Sequence, residues 1–266
     1  MKKRLAGVAA VLVALLLLAS PASAVQYGQP DGNGHPNVGV IAFYDGSLRP
    51  LWTCTGTLIS PREVLTAGHC TGSNGIVAPQ YAMVWFDSGL SYPLPAGHSG
   101  VPKPNPSWTG QLTRPDTHDA GVVLLDQAVT DITPATVAPA GYLDDLATRR
   151  GVQNTLFTIV GYGMQSIKPV VQAIPMRVVG TVSLINLRST FTDGYSVHFS
   201  GDPGLGNGPG GICFGDSGGP VFHQNALGQD VIVAVNSFVV NGNCKGGAYG
   251  YRVDQTAVLD FLATYR

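Results

Sequence analysis

Short apolar runs recur along the chain between turn signals: Val38–Tyr44, Gly56–Ile59, Tyr81–Phe86, Val122–Leu125, Thr155–Val160, Arg177–Leu187, Ser196–Phe199, Val221–Phe222 and Val231–Phe238. Strand-length runs bounded by Gly, Pro, Asn and Asp predict an all-β barrel or sandwich architecture. A stripe of Val258, Leu259, Phe261 and Leu262 behind Asp254 predicts a C-terminal helix over 254–265, with Asp254 as its cap. Pro134–Ala147 contains Pro139 and Gly141, which would interrupt a helix, and reads as a linker. Ser91–Pro115 carries six prolines and is expected to be mostly irregular surface. The stretch from about Asp126 to Arg150 reads as a crossover between two halves, of about 25–130 and about 150–252.

The first residues follow a different pattern. Lys2, Lys3 and Arg4 precede an apolar run from Leu5 to Ala19, and Ala22-Ser23-Ala24 has the small-x-small form cut by signal peptidase. The run is shorter than the roughly 20 residues that span a bilayer. Residues 1–24 are therefore expected to be a signal peptide, leaving a secreted, extracellular protein with no membrane association. All 16 acidic residues lie beyond this leader and three of the 15 basic ones lie in it, so its removal moves the net charge from −1 to about −4. That balance argues against a nucleic-acid partner, which calls for a basic face. Export favours pairing of the four cysteines, Cys54, Cys70, Cys213 and Cys244, for which three connectivities exist. Their spacing lacks C-x-x-C, so no metal site is expected. No cofactor is expected either, since the glycine-rich 201–211 lacks the Gly-Lys-Ser/Thr ending of a phosphate loop.

Candidate chemistry centres on Gly215-Asp216-Ser217-Gly218-Gly219-Pro220, where a serine stands between small residues. A serine hydroxyl needs a base within hydrogen-bond reach, and the base needs an orienting group. Of the six histidines, His69 ends an apolar strand and sits beside Cys70, in Thr66-Ala67-Gly68-His69-Cys70. Asp119 precedes the apolar Ala120–Leu125, where a buried carboxylate is costly unless paired. Asp87 and Asp116 lie in polar or proline-rich loops, and Asp126 follows the apolar run. Gly215–Gly219 also fits the G-x-S-x-G elbow of α/β-hydrolases, but the only later histidine is His223, six residues on.

These three blocks, in the order His, Asp, Ser, resemble the signatures of the trypsin/chymotrypsin family of serine proteases, and the resemblance runs over residues 25–266. It implies two packed six-stranded antiparallel β-barrels with a C-terminal helix, and a catalytic triad of His69, Asp119 and Ser217 in the cleft between them. It implies an oxyanion hole from the amides of Gly215 and Ser217, and disulfides Cys54–Cys70 and Cys213–Cys244. It implies a secreted serine endopeptidase whose partner is a protein or peptide substrate, with monomer the default state. The alternative is a catalytically silent homologue that only binds.

Two further expectations follow from the resemblance. In the family the aspartate before the serine pairs with a newly made apolar N-terminus. Here that is Asp216, and cleavage after Ala24 would expose Val25, although the family's usual Ile-Val-Gly-Gly is absent. The floor of the specificity pocket falls on Gly211, with Ser237, Phe238 and Val239 as the substrate strand and Gly247 on the far wall. With no charge at the floor and Val239 narrowing the entrance, cleavage is expected after small or medium apolar residues rather than Lys or Arg.

Overall fold

The structure is a computed structural model and describes residues 25–26, 28–167, 171–173, 175–201 and 210–266. Residues 1–24, expected to be a leader, and most of the glycine-rich loop before the serine lie outside the described residues. Two closed antiparallel barrels make up the molecule. The first contains β2 (Val38–Tyr44), β3 (Pro50–Ser60), β4 (Glu63–Thr66), β5 (Tyr81–Trp85), β6 (His98–Pro104) and β7 (Gly121–Leu125), closed in the order β2-β3-β4-β7-β6-β5. The second contains β9 (Leu156–Gly161), β10 (Val178–Asn186), β11 (Ser196–Ser200), β12 (Pro220–Gln224), β13 (Asp230–Val239) and β14 (Gly247–Arg252). Pairing of β9 with β10 closes that ring. Two short strands, β1 (Gln29–Pro30) and β8 (Thr136–Val137), add to its outside on β10 and β13.

Alternation of buried and part-exposed positions sends one face of each strand into a barrel. Ile41, Phe43, Leu58, Val64, Val84, Val123 and Leu125 fill the first, and Phe157, Ile159, Val182, Val197, Phe199, Val221 and Val233 fill the second. A third cluster joins Val38, Leu65 and Val122 of one barrel to Val160, Phe222 and Ile232 of the other. The helix α3 (Thr256–Ala263) closes this seam with Val258, Phe261 and Leu262. Strand β13 is buried almost without interruption because one face fills its barrel and the other meets this seam.

Two local expectations are corrected. Pro134–Ala147 is not a featureless linker: it holds β8 and the helix α2 (Tyr142–Ala147). Gly141 does not break that helix but stands just before it, at φ 73°. Asp254 does not cap α3, whose N-cap is Gln255. Its carboxylate instead accepts from the Leu143 amide at 2.7 Å and from the Arg252 guanidinium at 2.8 and 2.9 Å, tying α2 to β14. The proline-rich 91–115 contains strand β6 despite Pro102 and Pro104. Pairing with β5 ends at Gly100, so beyond that point β6 has an unpaired side on which a missing N–H costs nothing.

Candidate active site

His69 lies in a single helical turn, α1 (Gly68–Thr71), immediately after β4. Asp119 is fully buried just before β7, which pairs with β4, and this pairing brings the two together. One carboxylate oxygen of Asp119 accepts the His69 backbone amide at 2.8 Å, and both oxygens stand 2.9–3.0 Å from Nδ1. The ring is thus held with Nδ1 donating and Nε2 directed away from the carboxylate. Burial pushes the His69 pKa down, but the charge and hydrogen bond of Asp119 outweigh it and hold the imidazole above its ordinary value of 6.5. A quarter of the His69 side chain remains exposed, so the base is reachable.

The serine loop comes from the second barrel, between Cys213 and β12. Gly215 has φ +98° and Gly218 φ +77°, backbone states that an L side chain resists. A Cβ on Gly218 would also lie 2.6 Å from the Ala67 amide nitrogen, so this loop is pressed against the base of the histidine turn. The amides of Asp216, Gly218 and Gly219 donate to Cys213, Asn236 and Asp216 carbonyls. Among the described residues no backbone carbonyl accepts from the amides of Gly215 or Ser217. His69 and Ser217 line one cavity of about 320 Å³, together with Trp52, Phe214 and Gly215.

Some contacts escaped the sequence. Ser237, read as part of the substrate strand, donates its hydroxyl to Asp119 Oδ2 at 2.5 Å. Thr55 bridges the barrels: its amide donates to the Ser217 carbonyl at 2.8 Å, and its hydroxyl donates to the Gly215 carbonyl at 2.8 Å. Nothing in the local pattern of β3 marks Thr55, because its partners lie more than 100 residues away. The cysteines pair as Cys54–Cys70 and Cys213–Cys244. Cys54, His69 and Cys70 cluster closely enough to suggest a metal site, but both sulfurs are joined to each other.

Asp216 is fully buried. Its two carboxylate oxygens accept the amides of Gly163 and Cys213 at 2.8 and 2.9 Å. Burial outweighs these two bonds and pushes its pKa up to about 7. Among the described residues no cation pairs with this carboxylate. Val25 is buried, and the adjoining Gln26 amide donates to the Gly211 carbonyl at 2.8 Å. Gly211 is itself buried, and the Cys213–Cys244 bridge ties its segment to the turn before Gly247. Phe238 stacks on Tyr249, with ring centroids 4.7 Å apart, and Val239 pairs with Ala248.

Paired six-stranded barrels, with an Asp-braced histidine and a serine between Asp216 and Gly218 lining one cavity between them, define a chymotrypsin-like serine hydrolase. The chain belongs to the trypsin family, whose model, described as Trypsin, matches residues 29–262, and it is a serine endopeptidase. Its fold is similar to that of a solved structure titled HL collagenase at 1.7 Å resolution. The identity is 17%, the TM-score 0.66, and the match covers 91% of this chain and 97% of that one. No curated protein matches the sequence.

Proposed function

We propose that this endopeptidase is exported, works as a monomer on protein or peptide chains, and cleaves through an acyl-enzyme with Ser217, His69 and Asp119 as its triad. The observation that carries this reading is the Asp119 carboxylate on both the amide and Nδ1 of His69, beside a serine loop in which the amides of Gly215 and Ser217 have no backbone acceptor among the described residues. Ser217 Oγ attacks the scissile carbonyl carbon while His69 Nε2 takes its proton. The carbonyl oxygen becomes an anion held by the amides of Gly215 and Ser217. His69 then returns the proton to the leaving amine as the C–N bond breaks. Water repeats the sequence on the ester and releases Ser217. Asp119 stabilises the imidazolium in both halves.

Activation is read as pairing of the Val25 α-amine with Asp216 after removal of the leader. A buried carboxylate short of a cation, and the buried approach of Val25–Gln26 along Gly211, support it. Specificity is read as small or medium apolar P1 residues, supported by the uncharged Gly211 floor and by Val239 on the substrate strand. Nucleic acid is no part of this reading.

A serine-directed fluorophosphonate applied to the secreted protein tests the triad. Labelling at Ser217, lost in Ser217→Ala, is expected. A folded protein that does not label would be the silent binding homologue instead. N-terminal sequencing of the labelled protein tests activation, and a start other than Val25 rejects it. A P1 Arg substrate cleaved more efficiently than its P1 Val counterpart rejects the specificity.

A further inference from the structure

Gly211 and Gly247 leave two walls of the P1 pocket without side chains, and bare walls by themselves make a deep pocket. The register of the second barrel changes this. Strand β11 pairs with β14 so that His198 faces Tyr249 and Ser200 faces Gly247. In a pleated pair these four positions share one face. Val197, Phe199 and Ala248, on the other face, fill the barrel. The His198 ring lies flat on Tyr249, with centroids 4.4 Å apart and planes 5° from parallel. Tyr249 in turn stacks on Phe238 of the substrate strand. This stacking brings the imidazole to Gly247, where an added Cβ would meet His198 Nε2 and lie 3.2 Å from its Cδ2. The space that a larger residue at 247 would take is already filled from the neighbouring strand.

The same corner contains the floor. Gly201, next to Ser200, donates its amide to the Gly246 carbonyl at 3.0 Å. Gly201 also packs on Gly211, so closely that a Cβ on it would lie 2.6 Å from the Gly211 Cα. Gly201 thus links the Gly246–Gly247 turn, against which the His198 ring lies, to Gly211.

We propose that His198 closes the base of the P1 pocket and sets the size limit on the substrate side chain, while Gly247 serves to admit its ring. The proposal rests on the P1 assignment made above. It places the specificity-determining residue on β11, outside the segments that flank the serine.

The test uses three peptide anilides that differ only at P1, as Ala, Val or Phe, and reads the ratio of kcat/KM for Phe to that for Ala. This ratio does not depend on the fraction of active protein. In the wild type it is expected below one. His198→Ala and His198→Ser are expected to raise it about tenfold or more, the scale of opening a pocket by a few heavy atoms. His198→Phe, which keeps a flat ring on Tyr249, is expected to stay within about threefold of the wild type. A wild-type ratio above one, or truncations that lower all three substrates equally, overturns the proposal, because a purely structural histidine gives the uniform loss. Fluorophosphonate labelling of the wild type separates the two levels. Labelling with an unmoved ratio removes this inference alone, and absence of labelling removes the endopeptidase assignment to Ser217 as well.

Discussion

At the scale of single residues, the proposed triad depends on how Asp119 is held. It is buried, and among the described residues its partners are the His69 amide and ring and the Ser237 hydroxyl, with no arginine or lysine. Removing one hydrogen bond to a buried charge costs about 1.5–3 kcal/mol. Ser237→Ala is therefore expected to lower kcat/KM by roughly ten- to a hundredfold with little change in Ser217 accessibility, measured on peptide substrates. His69 has its pKa raised by Asp119 against the effect of burial. The base must be neutral to act, so kcat/KM is expected to fall as pH drops through a value above 6.5. Asp119→Asn should move that acid limb below 6.5, because burial alone then remains, and should lower kcat by about 10⁴. For stability the sign is opposite. The His69–Asp119 pair contributes fully below the unfolded imidazole pKa and is lost as pH rises through the raised folded value.

At the scale of elements, strand β3 couples the two barrels. Thr55 holds the carbonyls of Gly215 and Ser217 from across the cleft, and its hydroxyl also accepts the Tyr162 amide at 3.2 Å. Thr55→Val keeps the shape of the side chain and the backbone bond to the Ser217 carbonyl, but strands the Gly215 carbonyl and the Tyr162 amide. The expected result is a loss of about 1–2 kcal/mol, seen as slower fluorophosphonate labelling together with a lower urea midpoint. An unchanged labelling rate would mean that the serine loop does not depend on the Thr55 hydroxyl. Strand β6 and helix α2 rest on contacts of the same long-range kind. Proline content and a glycine inside a run are local signals, whereas the end of the β5 pairing at Gly100 and the Asp254 contact to Leu143 are made by distant parts of the chain.

At the scale of the whole molecule, Arg177 anchors the N-terminal segment to both barrels. It is almost fully buried and donates to Asp31, to the Gly32, Val38 and Phe86 carbonyls, and to the Tyr162 hydroxyl. Burial pushes the Asp31 carboxyl up, but hydrogen bonds from His35 and Arg177 prevail and hold its pKa at about 2. A carboxylate held low in the fold contributes stability above its unfolded pKa, and that contribution is lost as pH falls towards 2. Asp31→Asn leaves Arg177 buried and short of its anion, and is expected to cost about 3 kcal/mol at neutral pH. The variant should also lose stability less steeply than the wild type between pH 4 and 2, as read by thermal denaturation across pH.

The sequence by itself determined the class of fold, the family and the identity of the chemical groups. Strand-length apolar runs mark barrels because pleat and turn chemistry are local. His69, Asp119 and Ser217 are legible because each sits in a short run whose neighbours serve it directly, as Gly215 and Gly218 do with positive φ. Tertiary structure alone decided what those groups touch. The hydroxyl of Ser237 on Asp119, the hold of Thr55 on the serine loop, and the ring of His198 in the space left by Gly247 are contacts between strands far apart in the chain. Their register is set by how two barrels close and pack, and no window of sequence contains that information. The motif from Gly215 to Pro220 points to the reaction, and the pairing of β11 with β14 brings His198 opposite Tyr249, where the proposed pocket ends.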